Sequence, residues 1–136
     1  MRNSARAIII ENGKLLTMFR RKIKDGKIKE YYVIPGGGIE EGETPLTTVV
    51  RELKEELNID IKVLGFLGKY LTNAGEEYYY HCKIENGKPE LGGEELDRMT
   101  PENYYEPRYV SLEKLGQIDI YGKEFVSKAN EESYEK

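Results

Sequence analysis

Cysteine is nearly absent from the sequence, because Cys82 is alone among 136 residues. A single cysteine cannot close an internal disulfide, and without a second thiol a thiolate zinc site is excluded. This usage fits a reducing compartment, so we expect a cytoplasmic protein. We interpret Cys82 itself as a small buried apolar residue.

Long apolar runs and an excess of positive charge are also missing. The first apolar stretch, residues 7–10, is interrupted by Glu11. It is far shorter than a signal-peptide core or the ~20 residues of a membrane-spanning helix, so we expect no membrane partner. Lys and Arg number 21 against 25 Asp and Glu, a formal net charge of -4. This balance disfavours the binding of extended nucleic acid through bulk positive charge.

The composition that remains is polar but able to fold. Hydrophobic residues make up 38% of the chain and charged residues 34%, and eleven tyrosines occur in a chain without tryptophan. This length and composition predict one compact domain over residues 1–130 and a polar tail over 131–136. They leave open whether the protein is a monomer or a homodimer.

Turn signals and apolar patterns predict the order β, β, helix, β, β, followed by a short strand and a final helix. The predicted elements are a hairpin of residues 5–10 and 14–20, a basic loop over 20–29, a short strand over 31–34, strands over 61–71 and 77–84, a short strand over 109–111 that leads into a helical turn to 115, and a helix over 121–129.

The strongest local signals lie between Pro35 and Asn58. Three adjacent glycines predict that the segment PGGGIEEGETP is an irregular, shaped loop. Thr44 supplies a capping hydroxyl and Pro45 suits the first helical position, so a helix should begin there and run to about Leu57. Asn58 should then end the helix in the left-handed conformation.

This helix combines an apolar stripe with a cluster of glutamates. The stripe that should be buried contains Leu46, Val50, Leu53 and Leu57. Glu52, Glu55 and Glu56 fall within an arc of roughly 100° beside it, where like charges repel. The cluster is either a solvated acidic face or a site for a divalent cation, because Mg²⁺ prefers carboxylate oxygens.

The loop and the helix together resemble the Nudix box, G-x5-E-x7-R-E-U-x-E-E-x-G-U, where U is a bulky aliphatic residue. The resemblance covers the 23 residues 37–59, and every fixed position matches except the last glycine, which is Asn58. Asn is the next most tolerant residue for a left-handed helix end. Membership of the Nudix family implies an α/β fold, an α/β/α sandwich around a central mixed β-sheet.

The resemblance also implies an activity and a set of site residues. The family hydrolyses a diphosphate linkage in nucleoside triphosphates or other nucleoside diphosphate derivatives, with Mg²⁺ or Mn²⁺ as cofactor. By position, Glu52, Glu55 and Glu56 would bind the metal, and Glu52 is also the candidate general base. Arg51 would orient a box carboxylate, Gly37 would let the loop backbone approach the metal, and Glu43 would either have a structural role or lie in the outer shell of the metal site.

Residues outside the box are candidates for substrate contacts and for a fourth carboxylate. Arg20 and Arg21 either bind phosphate or belong to a solvated basic loop. Asn103 either contacts a base edge or lies in an ordinary turn. The acidic segment after Gly92 and Gly93 should form a mobile loop, and Glu95, ahead of Glu94, is our choice for the fourth carboxylate.

Other functions of the same fold remain open at this stage. They are a nucleotide-binding regulatory domain without turnover, an isomerase of isoprenoid diphosphates, and a pyrophosphohydrolase of RNA ends. The box handles the diphosphate and the surrounding loops choose the rest of the substrate, so the motif does not identify it.

Overall fold

The computed structural model describes residues 2–134 and, for side chains, residues 2–131. Its strands are β1 (Ser4–Ile8), β2 (Ile10–Glu11), β3 (Lys14–Lys24), β4 (Lys27–Val33), β5 (Gly36–Gly38), β6 (Asp60–Thr72), β7 (Gly75–Asn86) and β8 (Asn103–Ser111). Its helices are α1 (Pro45–Leu57), α2 (Gly93–Arg98) and α3 (Lys123–Tyr134), with a 3-10 helix over Leu112–Gln117.

The strands form two sheets. The first has the order β5-β1-β7-β6, in which β1 runs parallel to β7 and the other neighbours are antiparallel. In the second sheet β3 is central, with β2 and β4 on one side and β8 on the other. The predicted α/β class with a mixed sheet is confirmed.

Apolar side chains cover both faces of the first sheet. On one face Ala5 and Ala7 of β1 pack in a cluster with Leu53 and Leu57 of α1. On the other face Ile8 packs in a second cluster, which includes residues of α3. Successive side chains of a strand point to opposite faces, so β1 contributes to both clusters and the sheet lies between α1 and α3.

Helix α1 begins and ends where the sequence signals predict. The Thr44 side chain accepts a hydrogen bond from the backbone N–H of Thr47, Pro45 lies in the first turn, and Asn58 has φ 56 in the left-handed region. The Asn58 backbone N–H reaches the carbonyl oxygens of Leu53 and Lys54, which satisfies the helix end.

The predicted apolar stripe of α1 is only half right. Leu53 and Leu57 are fully buried, but Leu46 is 46% exposed and Val50 39% exposed. Their places in the buried face are taken by Thr48, Val49 and Glu52. The face that meets the sheet is therefore centred nearer Glu52 than the apolar pattern indicates, because a polar site shares that face.

The predictions of a first hairpin and of a basic loop were wrong, and that of an irregular glycine segment was wrong in part. The residues 5–10 do not form one arm of a hairpin, since β1 pairs with β5 and β7 and only β2 pairs with β3. The basic loop over 20–29 is instead a regular β3–β4 hairpin whose turn is Asp25-Gly26, both with positive φ. The glycine run is not wholly irregular, because Gly36–Gly38 pairs with β1 as β5.

The later elements are longer than predicted. Strands β6 and β7 confirm the two long strands, whereas β8 begins at Asn103 rather than near residue 109. The acidic segment predicted as a loop forms α2. Helix α3 runs to Tyr134, so residues 131–134 of the predicted tail are helical, and residues 135 and 136 lie outside the described residues. No helix within residues 2–134 is long and apolar enough to cross a membrane.

Candidate active site

A cavity of about 330 Å³ opens beside the first sheet. Helix α1 contributes its three clustered glutamates, β5 contributes its backbone, and α2 contributes Glu94 and Glu95. The residues predicted for the site that line this cavity are Arg20, Gly37, Arg51, Glu52, Glu55, Glu56, Glu94 and Glu95. Elements distant in sequence thus bring acidic and basic side chains to one place.

Gly37 is required by the position of Glu52. A Cβ atom added at Gly37 would overlap the carboxyl group of Glu52. The missing side chain lets the β5 backbone lie directly against this carboxylate. Glycine at this position therefore shapes the cavity wall.

Arg51 holds several of the acidic groups. Its Nε donates to Glu43 Oε2 at 2.7 Å and its Nη2 donates to Glu43 Oε1 at 2.9 Å, a bidentate pair. Its Nη1 donates to Glu52 at 3.2 Å and to Glu55 at 3.1 Å. Nη2 also reaches the carbonyl oxygen of Gly38 at 3.3 Å, which ties the helix to the glycine loop. One guanidinium thus fixes three carboxylates.

Glu43 is bound by Arg51 through two charged hydrogen bonds. Its bidentate hydrogen bonds from Arg51 lower the pKa of its carboxyl group from 4.5 to about 2, and the backbone N–H of Glu40 and the Thr48 hydroxyl add to this shift. In return, the hydrogen bond to Glu43 raises the pKa of Arg51. Both groups stay charged across the physiological range.

Glu56 has the opposite environment. Burial raises the pKa of its carboxyl group far above the usual range, and a hydrogen bond with Glu52 and the charge of Glu95 raise it further. Arg6 acts against this shift. The protein alone therefore disfavours the ionised form of Glu56, because the carboxyl group is buried beside other acidic groups.

The donor set fits a hard divalent cation. Among the side chains of residues 2–131, no three His, Cys, Asp or Glu side chains are already grouped so as to hold a metal ion. The chemistry of the donors is nevertheless the kind that Mg²⁺ selects, because the side chains concerned are carboxylates that face a cavity able to admit water and phosphate. A cation there would also relieve the repulsion that Glu56 experiences.

Glu95 reaches the cavity because α2 packs against the end of α1. The Gly92 backbone N–H donates to the carbonyl oxygen of Glu56 at 2.8 Å. Gly93 has φ 61, and a Cβ atom there would lie 2.9 Å from the carbonyl oxygen of Glu55. The two glycines therefore permit close packing of two helices rather than an irregular loop.

The substrate-binding candidates are separated by the structure. Arg20 lines the cavity, lies 4.4 Å from the centre of the Tyr105 ring and donates to the Tyr105 hydroxyl at 2.8 Å. Arg21 points to the other face of β3, over Tyr104, because successive strand residues alternate. Asn103 is not among the lining residues; its Nδ2 donates to the Arg98 carbonyl and the Tyr105 hydroxyl, both at 3.3 Å.

Sequence reasoning missed Arg6. This side chain lines the cavity, donates from Nε to Glu77 at 3.0 Å and from Nη1 to the Ile34 carbonyl oxygen at 2.8 Å. Glu77 of β7 is thereby paired with Arg6. The available signal was a lone arginine inside the otherwise apolar β1.

Comparison with known proteins places this architecture in a family. The NUDIX domain family model matches residues 1–128, and the chain belongs to the Nudix family. Over 62 residues it is 40% identical to an ADP-ribose pyrophosphatase of Methanocaldococcus jannaschii, a match that covers 46% of this chain and 36% of that protein. The match thus spans about a third of the length of this relative.

Solved structures share the fold over nearly the whole chain. An ADP-ribose pyrophosphatase from Streptococcus suis is 19% identical with a TM-score of 0.67, over 97% of this chain and 91% of that one. A MutT NUDIX hydrolase from Burkholderia pseudomallei is 19% identical with a TM-score of 0.65, over 94% of this chain and 96% of that one. At this level of identity the likeness shows the fold.

The Glu43–Arg51 pair makes stability depend on pH in a defined direction. The pKa of Glu43 is lower in the folded state than in the unfolded state. The pair with Arg51 therefore stabilises the fold above about pH 4.5, and this stabilisation is lost as the pH falls toward 2. We expect Glu43→Gln to unfold more easily than the wild type at neutral pH, with a difference that shrinks below pH 4.5. Thermal unfolding of both proteins from neutral pH to below pH 4.5 measures this difference in stability.

The exposed Glu41 of the same loop gives the matched control, and Glu41→Gln should follow the wild type throughout. A Glu43→Gln difference that stayed constant from neutral pH down to about pH 3 would contradict the assignment of the pair.

Proposed function

We propose that this chain is a metal-dependent pyrophosphohydrolase. Its substrate is a nucleoside triphosphate or another nucleoside diphosphate derivative, and its cofactor is Mg²⁺ or Mn²⁺. The observation that carries the proposal is a single cavity lined by Glu52, Glu55, Glu56 and Glu95 together with Arg20. The similarity to proteins named ADP-ribose pyrophosphatase and MutT supports it.

The metal would be held by Glu52, Glu55 and Glu56, beside the backbone of Gly37. When bound, it neutralises the diphosphate and activates water. The three glutamates face the cavity from adjacent turns of one rigid helix, so the helix sets their spacing. Arg51 then keeps Glu52 and Glu55 oriented through its Nη1 atom.

The remaining side chains support attack of water on phosphorus. Glu52 accepts a proton from the water, whose oxygen forms the new bond to phosphorus while the bridging P–O bond breaks. The bonding electron pair leaves with the departing phosphate. Arg20 is suited to a phosphate oxygen, because it is a permanently charged donor that lines the same cavity as the glutamates.

Product analysis separates hydrolysis from the two functions without hydrolysis, a regulatory nucleotide-binding domain and an isomerase of isoprenoid diphosphates. A panel containing ADP-ribose, other nucleoside diphosphate derivatives and nucleoside triphosphates should include a substrate that is cleaved at its diphosphate linkage when Mg²⁺ or Mn²⁺ is present. Excess EDTA should abolish turnover, and added metal should restore it, because the anionic substrate and the glutamates need a cation between them.

A regulatory domain would bind members of the panel without products, and an isomerase would alter an isoprenoid diphosphate without breaking its diphosphate linkage. Full activity in excess EDTA would contradict the metal site, whereas the absence of turnover across the panel would contradict the hydrolase.

We also propose that Glu95 is the carboxylate recruited from outside the box. Glu95 is half-buried at the cavity and its charge acts on Glu56. Glu95→Gln should lower kcat at saturating metal by at least ~100-fold, as expected for loss of a ligand or general base. Asp97→Asn is the matched control, since Asp97 is an exposed acidic residue of the same helix α2 and is not among the residues that line the cavity.

The control should change kcat by less than about threefold. A loss of less than about threefold in Glu95→Gln, with the fold intact by circular dichroism, rules out this role for Glu95.

A further inference from the structure

Strand β1 carries one charged side chain, Arg6, between two small apolar ones. Its neighbours Ala5 and Ala7 are fully buried, and Arg6 pairs with Gly36 of β5 on one side and with Tyr79 of β7 on the other. The Arg6 side chain is only 19% exposed. Burying a guanidinium costs free energy unless its charge is paired, so the partners of Arg6 decide what it can do.

Two hydrogen bonds hold the guanidinium of Arg6 in place. Its Nε donates to Glu77 Oε2 at 3.0 Å, and its Nη1 donates to the carbonyl oxygen of Ile34 at 2.8 Å. Glu77 is itself held, because its Oε1 accepts a hydrogen bond from the Tyr79 hydroxyl at 2.9 Å. The orientation of Arg6 is therefore set by β7 on one side and by the chain just before β5 on the other.

Part of this guanidinium remains free to donate. Arginine has five side-chain N–H groups, and the two bonds described above use one on Nε and one on Nη1. Within residues 2–131, Nη2 of Arg6 makes no hydrogen bond. Both hydrogens of Nη2 and one of Nη1 are thus available to a ligand, in the planar arrangement that suits phosphate oxygens.

Arg6 lies where two cavities meet. It lines the catalytic cavity together with the box glutamates, and it also lines a second cavity of about 310 Å³. The walls of the two cavities share Arg6, Val33 and Ile34. Arg6 is the charged member of these three, so the boundary between the cavities presents a cation.

The charges in the wall of the second cavity balance. Arg6 and Lys29 are matched there by the carboxylates of Glu77 and Asp119, and the other wall residues are aromatic or apolar. Carboxylates repel phosphate, whereas the catalytic cavity favours phosphate once its glutamates hold a cation. A diphosphate should therefore stay on the catalytic side of Arg6.

Arg6 is also close enough to the box to act on the same ligand. Burial raises the pKa of Glu56, and the positive charge of Arg6 acts against this shift. The interaction of two charges weakens with distance, so this effect indicates that the guanidinium lies near the Glu56 carboxyl group. The glutamates and Arg6 can thus face one diphosphate from two sides.

We propose that Arg6 binds a phosphate oxygen of the substrate's diphosphate at the boundary between the two cavities. This inference rests on the proposed function for the identity of the ligand. Glu77 is then a positioning residue, because it holds the guanidinium without binding the phosphates itself. The contact determines specificity, since it marks where the phosphates end and leaves the second cavity to an uncharged part of the substrate.

The test is binding of the α,β-methylene analogue of ADP-ribose, in which a CH₂ group replaces the bridging oxygen and prevents hydrolysis. Calorimetric titration in Mg²⁺ should show binding by the wild type. Arg6→Gln should bind at least about tenfold more weakly, because charged hydrogen bonds to phosphate are lost. Arg6→Gln/Glu77→Gln should show the same loss, and this variant does not leave the Glu77 carboxylate buried without its partner.

Arg98→Gln is the matched control, since Arg98 is an exposed arginine that is not among the residues lining either cavity. It should bind the analogue within about twofold of the wild type. The affinity for Mn²⁺ is the second readout. Removal of Arg6 should change this affinity by less than about threefold, because Arg6 supplies no oxygen ligand to the metal.

The inference is overturned if the wild type does not bind the analogue, or if the wild type and both Arg6 variants bind it equally. It is also overturned if Mn²⁺ affinity falls in parallel with analogue binding, because Arg6 would then only support the metal site. Hydrolysis of ADP-ribose and of nucleoside triphosphates is measured beside binding. Unchanged hydrolysis by folded Arg6→Gln refutes only this inference, whereas Arg6-dependent binding without hydrolysis by the wild type refutes only the proposed function.

Discussion

The arrangement of the site depends on the pairing of Arg51 with the acidic side chains around it. Four glutamates of the box would repel one another on the loop and helix that carry them, and the guanidinium of Arg51 binds three of the four directly. The pair with Glu43 joins the loop to the helix, and the bonds to Glu52 and Glu55 orient these carboxylates toward the cavity. Glu56 has no such bond to Arg51, and burial and its acidic neighbours favour the protonated form of its carboxyl group.

Close packing around Glu52 and Glu56 fixes the positions of the acidic side chains. Glu52 lies on the face of α1 that packs against the sheet, and the backbone at Gly37 occupies the space beside its carboxyl group. The Gly92 and Gly93 backbone brings α2 against the same end of the helix, so Glu95 approaches Glu56. Burying a charged group costs free energy unless the group is paired. The close backbone contacts at Gly37, Gly92 and Gly93 and the pairing of the glutamates therefore depend on one another.

Local signals allowed the prediction of α1 and of most of the acidic residues that line the cavity, whereas long-range pairing did not follow from the sequence. Thr44, Pro45 and Asn58 act within their own turns, so the helix bounds could be predicted. The pairing of β1 with β7 joins residues about seventy positions apart, and no local pattern specifies it. For the same reason the place of Arg6, on a strand held by this pairing, did not follow from the sequence.

The central claim is that the box glutamates form a binding site for a divalent cation. Calorimetric titration of Mn²⁺ into the wild type and Glu56→Gln tests it most directly, because the readout is binding and does not require the substrate. The account predicts saturable binding by the wild type and an affinity at least about tenfold lower for a folded Glu56→Gln, since a carboxylate ligand is lost. Equal affinities in the two proteins, or no binding by the wild type, would contradict it.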